Sequence, residues 1–209
     1  MVNLLIKNKI LTMGGISGPI LFSTMVVLCG WLRPDYSHLN QYISELGETD
    51  GSLSLLMNAL GFIPSGMMFI GFAISLFGYF PKSFSSLVGS LLMAAFGIGM
   101  VTVGVYSCDL GCSTANVSYA GMMHGQAAKI GFLSGIASIL VWSLTFRRLD
   151  FWKSFWRYSL VLGCAAFVFL MLTYFSAELR LWTGLWQRLC LGLIFLWCLV
   201  VSRNMLVSD

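Results

Sequence analysis

The chain has 209 residues, of which 58% are hydrophobic and 10% charged, with a mean hydropathy of +0.86. A soluble domain is about a quarter charged and about half apolar, so composition excludes a soluble globular protein and leaves no room for a separate soluble domain. The net charge of +4 does not mark a nucleic-acid partner, because the basic residues lie where a membrane topology needs them.

The apolar residues gather in stretches of roughly 20, the length that crosses a hydrocarbon core. They do not alternate as barrel strands would. An all-α polytopic membrane protein follows, one domain over residues 1–209. Six transmembrane helices are expected at about 11–32, 55–80, 86–106, 122–146, 158–176 and 187–205. Lys7 and Lys9 ahead of an apolar run resemble a signal peptide. The run from Ile10 to Leu32 is long for one, however, and no small-x-small site follows, so the segment is read as a permanent helix.

The segments joining the helices alternate in charge. Lys7, Lys9, Lys82, Arg147, Arg148, Lys153, Arg157 and Arg203 fall in the termini and loops 2 and 4, with only Asp150 and Asp209 beside them. Asp35, Glu45, Glu48, Asp50, Asp109 and Glu178 fall in loops 1, 3 and 5. This positive-inside pattern predicts an inner (cytoplasmic) membrane protein with both termini cytoplasmic. Membrane lipids are its expected partners.

In loop 1, Tyr36, Leu39, Ile43 and Leu46 fall at helical spacing and Gly47 offers a stop. A short amphipathic helix is expected, lying on the membrane or capping the bundle. Its His38, Ser44 and Glu45 either belong to that cap or line a site. Pro64 should kink or locally open the second span. Gly14/Gly18, Gly121/Gly125 and Gly131/Gly135 place small residues on single helix faces, read as packing within the bundle.

Loop 3 holds Cys108 and Cys112 with Gly111 between them. A disulfide is the expectation on an oxidising face. The other readings are a redox pair and a zinc site completed by His124, although two thiolates and one imidazole are one ligand short of a structural site. Neither a metal nor a cofactor is implied. Cys29, Cys164, Cys190 and Cys198 lie within spans and read as packing residues. Loop 4 mixes Arg147, Arg148, Lys153 and Arg157 with Phe151, Trp152, Phe155 and Trp156, an interfacial composition.

Past His124, Lys129 sits deeper in its span and either snorkels to the interface or pairs with Asp109, Glu45 or Glu178. Arg188 opens the last span on the side where the topology rule disfavours it, so it needs a local ion pair or an anionic headgroup. His38, Glu45, Asp109, His124, Lys129, Glu178, Arg180 and Arg188 all fall on one face, which suggests an outward-facing polar pocket. No nucleophile motif and no glycine-rich phosphate loop marks it.

Three pieces resemble an uncharacterised family of bacterial and archaeal membrane proteins, the domain-of-unknown-function family numbered 998. They are Arg33-Pro34-x-Tyr36-Ser37-His38 with Ile43-Ser44-Glu45-Leu46-Gly47, then Cys108-Asp109-x-Gly111-Cys112 with His124, and Gly184-Leu185-Trp186-Gln187-Arg188. The resemblance implies a six-helix integral membrane protein and no established activity. That family is distantly similar to eukaryotic proteins that remodel lipid anchors, a likeness that transfers no catalytic residue.

On these grounds the candidates for acid–base work are His124, Glu45 and Asp109. Those for binding are Arg33, His38, Ser44, Lys129 and Arg188. Three functions stay open: binding or acting on a lipid or lipid-linked headgroup, a non-enzymatic scaffold or assembly partner of an envelope complex, and a small-solute transporter.

Overall fold

The computed structural model describes residues 2–115 and 117–207, with side chains from Lys9 onward except that of Asn116. The side chain of Lys7 and all of Asp209 lie outside the described residues. The helices are α1 (Val2–Leu32), α2 (Ser54–Tyr79), α3 (Phe84–Val105), α4 (Tyr119–Phe146), α5 (Phe155–Phe175) and α6 (Thr183–Val207). All six are long and apolar enough to cross a membrane, and no strand occurs among the described residues. The protein is therefore a multi-pass membrane protein. Hydropathy placed every span. It missed the first turns of α4, α5 and α6 because these are capped or amphipathic rather than apolar. Ser118, for instance, accepts a hydrogen bond from the Gly121 amide and starts α4.

Each helix packs against its neighbours in sequence, and α6 returns against α1, closing a ring. Small residues set the tightest seams. A Cβ on Gly66 would lie 2.6 Å from the Gly97 carbonyl, and one on Gly99 would lie 2.9 Å from Gly131 Cα. Gly14 and Gly131 thus serve contacts within the ring, as read from their spacing, with Gly14 set against the Met68 carbonyl. Gly121 serves a different purpose: it makes room for the Asp109 carboxylate, while nothing lies near Gly125.

Pro64 opens α2 as expected, and the opening takes the form of a π turn over Met57–Phe62. Proline has no N–H and crowds the carbonyl one turn back, and a widened turn relieves both.

The ring is plugged at the loop 2/loop 4 end by aromatics. Trp152 is buried there, stacked on Phe146 at 5.1 Å and edge-on to Phe80 at 5.0 Å. Loop 4 is thus only partly an interfacial belt: Phe151 is exposed, but Trp152 turns inward, and Arg147 and Arg157 lie over the face of Trp156 at 5.5 and 5.4 Å.

Loops 1, 3 and 5 cover the opposite end. The amphipathic helix expected over residues 36–46 does not form. Residues 36–42 are irregular, with a turn at 38–40, and Ile43–Gly47 makes a 3₁₀ helix. Local hydrogen bonds compete with a helix here: Gln41 Oε1 accepts from the Ser37 amide at 2.7 Å, and Glu45 Oε1 accepts from the Tyr42 amide at 2.9 Å. Ile43 and Leu46 dip into the core, whereas Leu39 stays exposed. Gly47 is present for space, since a Cβ there would lie 2.2 Å from Asn58 Oδ1.

Candidate functional site

The cap is built from ion pairs that join distant parts of the chain. Arg33, just past α1, bonds Glu48 Oε1 at 2.6 Å and donates to the Glu45 carbonyl. Arg180, in loop 5, reaches Glu45 Oε1 at 2.5 Å, donates to the Gly111 carbonyl, and lies 4.6 Å over the Tyr42 ring. Glu45 is 3% exposed and Glu48 2% exposed. Both carboxylates are fully engaged: Glu45 Oε2 accepts from Gln41 Nε2 at 2.8 Å, and Glu48 Oε2 accepts from the Gly111 amide at 2.6 Å. Buried charges with this many partners are compensated. Glu45 and Arg33, read from the sequence as acid–base and binding candidates, lie within this network, which joins loops 1, 3 and 5.

The pieces that carry the family resemblance meet here. Loop 1 rests on the first turn of α6, where a Cβ on Gly184 would lie 2.2 Å from the Gln41 carbonyl. The Leu185 amide donates to the Leu39 carbonyl at 2.9 Å, and the Ile43 amide donates to Gln187 Oε1 at 2.8 Å. Among the described residues five non-glycine residues adopt left-handed backbone, namely Asp35, Asp50, Cys112, Arg180 and Trp182, and all lie in these three loops. Such φ values are uncommon outside Gly, Asn and Asp, so at Cys112, Arg180 and Trp182 the cap holds its backbone by contacts rather than by local preference.

Arg188 differs from the other two arginines. It has no ion pair among the described residues. Its Nη1 donates to the Gln41 and Gly184 carbonyls, each at 2.9 Å, its Nη2 donates to Tyr36 Oη, and its Nε makes no hydrogen bond. Burial pushes the Tyr36 phenol up to about 12, so it keeps the proton it donates to the Tyr42 carbonyl at 2.8 Å. His38 packs edge-on against Tyr36 at 5.1 Å. Burial, and then the Arg188 charge, hold its imidazole below the usual histidine range.

Arg188 and His38 stand at the mouth of a cavity of about 300 Å³ between α1 and α6, walled by Phe22, Val26, Leu191 and Phe195. The groove continues past Ser23 and Gly192 to Leu196 and Leu199. Phe22, Ile43 and Leu191 also line a small apolar cavity of about 40 Å³ inside the ring, beneath Ser44 and Gln187.

A second cavity, of about 320 Å³, lies where loop 3 meets α4 and shares no lining residue with the first. Cys108, Asp109, Cys112, His124 and Lys129 all line it. Cys108 and Cys112 form a disulfide with their Cα atoms 5.0 Å apart, on a turn whose Gly111 is left-handed at φ 63°. Asp109 Oδ2 accepts from the Ser118 amide at 2.9 Å, and hydrogen bonding from the Ser118 side chain first, and from this amide second, holds its carboxyl below the usual range. His124 is 5% exposed, and one of its nitrogens, Nδ1, bonds the Tyr106 carbonyl at 2.8 Å. Lys129 is exposed along the cavity and has no ion pair among the described residues.

The one-sided cluster read from the sequence thus divides in three: Glu45 and Arg180, which join Arg33 and Glu48 in a paired core, a seam with His38 and Arg188, and a loop 3 cavity with Asp109, His124 and Lys129. Ser44 sits below the cap, and Glu178 is exposed and joins none of them. Sequence reasoning passed over Glu48 and Gln187. Two acids three residues apart after a basic residue were a signal for the first, but nothing in one sequence says that they fold inward.

Neither a curated protein nor a solved structure matches this chain. A family model does, over residues 16–204, and the chain belongs to that family, which is described as protein of unknown function (DUF998).

Proposed function

We propose that this protein binds an anionic membrane lipid in the groove between α1 and α6. The observation that carries the reading is Arg188, a guanidinium without a carboxylate partner among the described residues, at the mouth of an apolar groove. An uncompensated cation favours an anionic group, and the apolar walls favour an acyl chain. The dimensions agree: from Arg188 to Leu199 the helix advances about 16 Å, close to the half-thickness of a hydrocarbon core.

Binding is favoured over turnover because the acids are occupied elsewhere. Glu45 is saturated by its partners, and His124 and Asp109 face the other cavity. Transport is disfavoured because the space inside the ring is small and apolar. In the proposed orientation the basic loops face the cytoplasm of an inner membrane and the lipid lies in the far leaflet. The charge alternation supports this, as does a disulfide at the capped end.

The test is lipid retention by native mass spectrometry, with phosphatidylglycerol set against phosphatidylethanolamine. The purified protein should retain the anionic lipid preferentially. Gly192→Leu fills the groove, and nothing lies within 4 Å of a Cβ at that position, so retention should fall without loss of folding. Arg188→Gln should erase the headgroup preference. Equal retention by wild type and Gly192→Leu would sink the reading.

A further inference from the structure

Cys108, Cys112 and His124 form a group that the lipid-binding reading does not use. One ring nitrogen of His124 and the two Sγ atoms all lie within 4.8 Å of one another. The hydrogen bond from Nδ1 to the Tyr106 carbonyl makes Nδ1 the protonated nitrogen and leaves a lone pair on Nε2. That Nε2 is buried and makes no hydrogen bond. A ligating histidine is set up in this way: one nitrogen is fixed by a backbone carbonyl and the other is left free for a metal.

We propose that Cys108, Cys112 and His124 are a redox-gated site for a thiophilic divalent cation of the zinc class, closed while the disulfide is formed and opened by its reduction. A dithiol supplies two electrons and two protons to the two sulfurs and leaves as its own disulfide. Metal binding then displaces the two thiol protons. With Zn–S of about 2.3 Å and Zn–N of about 2.0–2.1 Å, tetrahedral ligands stand about 3.6–3.8 Å apart. Once the S–S bond is broken the sulfurs separate toward that spacing, with a His124 ring nitrogen already within 4.8 Å of both.

Three protein ligands are too few for a closed structural site, but they match the composition of an open one, which keeps a position for water or a small ligand. The adjoining cavity, lined also by Asp109, Gln126 and Lys129, provides that position.

The experiment uses the full chain in detergent with Cys164→Ser, which removes the one free cysteine that is exposed among those described. The protein is reduced, freed of reductant without air, and titrated with Co(II) as a spectroscopic probe and then with Zn(II) against a chromophoric chelator. One equivalent should bind to the reduced protein, with a thiolate-to-cobalt charge-transfer band, and none to the oxidised protein. The Cys108→Ser/Cys112→Ser variant should lose the band. His124→Gln keeps both thiols, verified by thiol titration, and should weaken binding at least about tenfold. His124→Cys should restore binding with a stronger charge-transfer band, a change that a merely structural role would not produce. The proposal is overturned if the reduced protein binds no more metal than the double-serine variant. It is equally overturned if His124→Gln leaves affinity and spectrum unchanged.

Discussion

Arg180 and Arg188 are a few residues apart at the same end of the molecule, yet they do opposite things. Arg180 meets Glu45 at 2.5 Å and is part of a closed network, whereas Arg188, among the described residues, meets carbonyls and a phenol but no acid, and borders an open groove. The difference teaches how a chain with so few charges uses them. Where cation and anion are matched, the charge holds loops together. Where a cation is left over beside apolar walls, the surface is suited to something the chain does not itself contain.

The comparison breaks most readily at Glu45. Replacing it by alanine leaves Arg180 without its acid and removes the acceptor for Gln41 and the Tyr42 amide. Arg180 retains some solvent contact, so the expected loss is about 2–4 kcal/mol, below the full range for a buried pair, measured by thermal unfolding in detergent. A cost within error of zero would mean that the cap is not held by its charges. Reducing the disulfide should cost less, about 2 kcal/mol, because the closed loop is short; a thermal-shift series with and without reductant reads it.

Smaller still is a pH effect at the seam. The folded-state pKa of His38 lies below its unfolded value of about 6.5, so protonation favours the unfolded chain. Its contribution is complete above that pH and is lost as pH falls through the folded-state value. The Tm of the wild type should therefore decline more steeply from pH 7.5 to pH 5 than that of His38→Gln. Parallel curves would remove His38 from the seam's electrostatics. The smallest expected effect on unfolding belongs to Gly192→Leu, within about 0.5 kcal/mol. The same change should strongly reduce lipid retention, which separates the open seam from the closed cap.

Much of the fold was legible because membrane crossing imposes one requirement, a long apolar run, that a single sequence displays directly. The disulfide was legible for a similar reason, since loop 3 is short and local. The cap was not. Tyr36, Leu39, Ile43 and Leu46 have helical spacing, but side-chain-to-backbone bonds and the docking of loop 1 on α6 override it. The ionisable residues were correctly gathered at one end of the bundle by charge alternation. What alternation does not encode is pairing. That Arg33 takes Glu48, Arg180 takes Glu45 and Arg188 takes no acid depends on contacts across as many as 152 residues of chain, the span from Tyr36 to Arg188.

The ring order has a consequence for how the protein is made. Helices α2 to α5 each meet their predecessor as soon as they emerge, but the seam between α1 and α6 joins spans far apart in the chain. Synthesis runs from the N-terminus at about 5–20 residues per second, so α1 waits with one flank against lipid until α6 arrives. The groove thus exists only in the completed chain, and its closing step takes place in direct contact with the bilayer. A lipid already lying along α1 would be enclosed as the last helix docks, so the protein should leave the insertion machinery with its groove already filled.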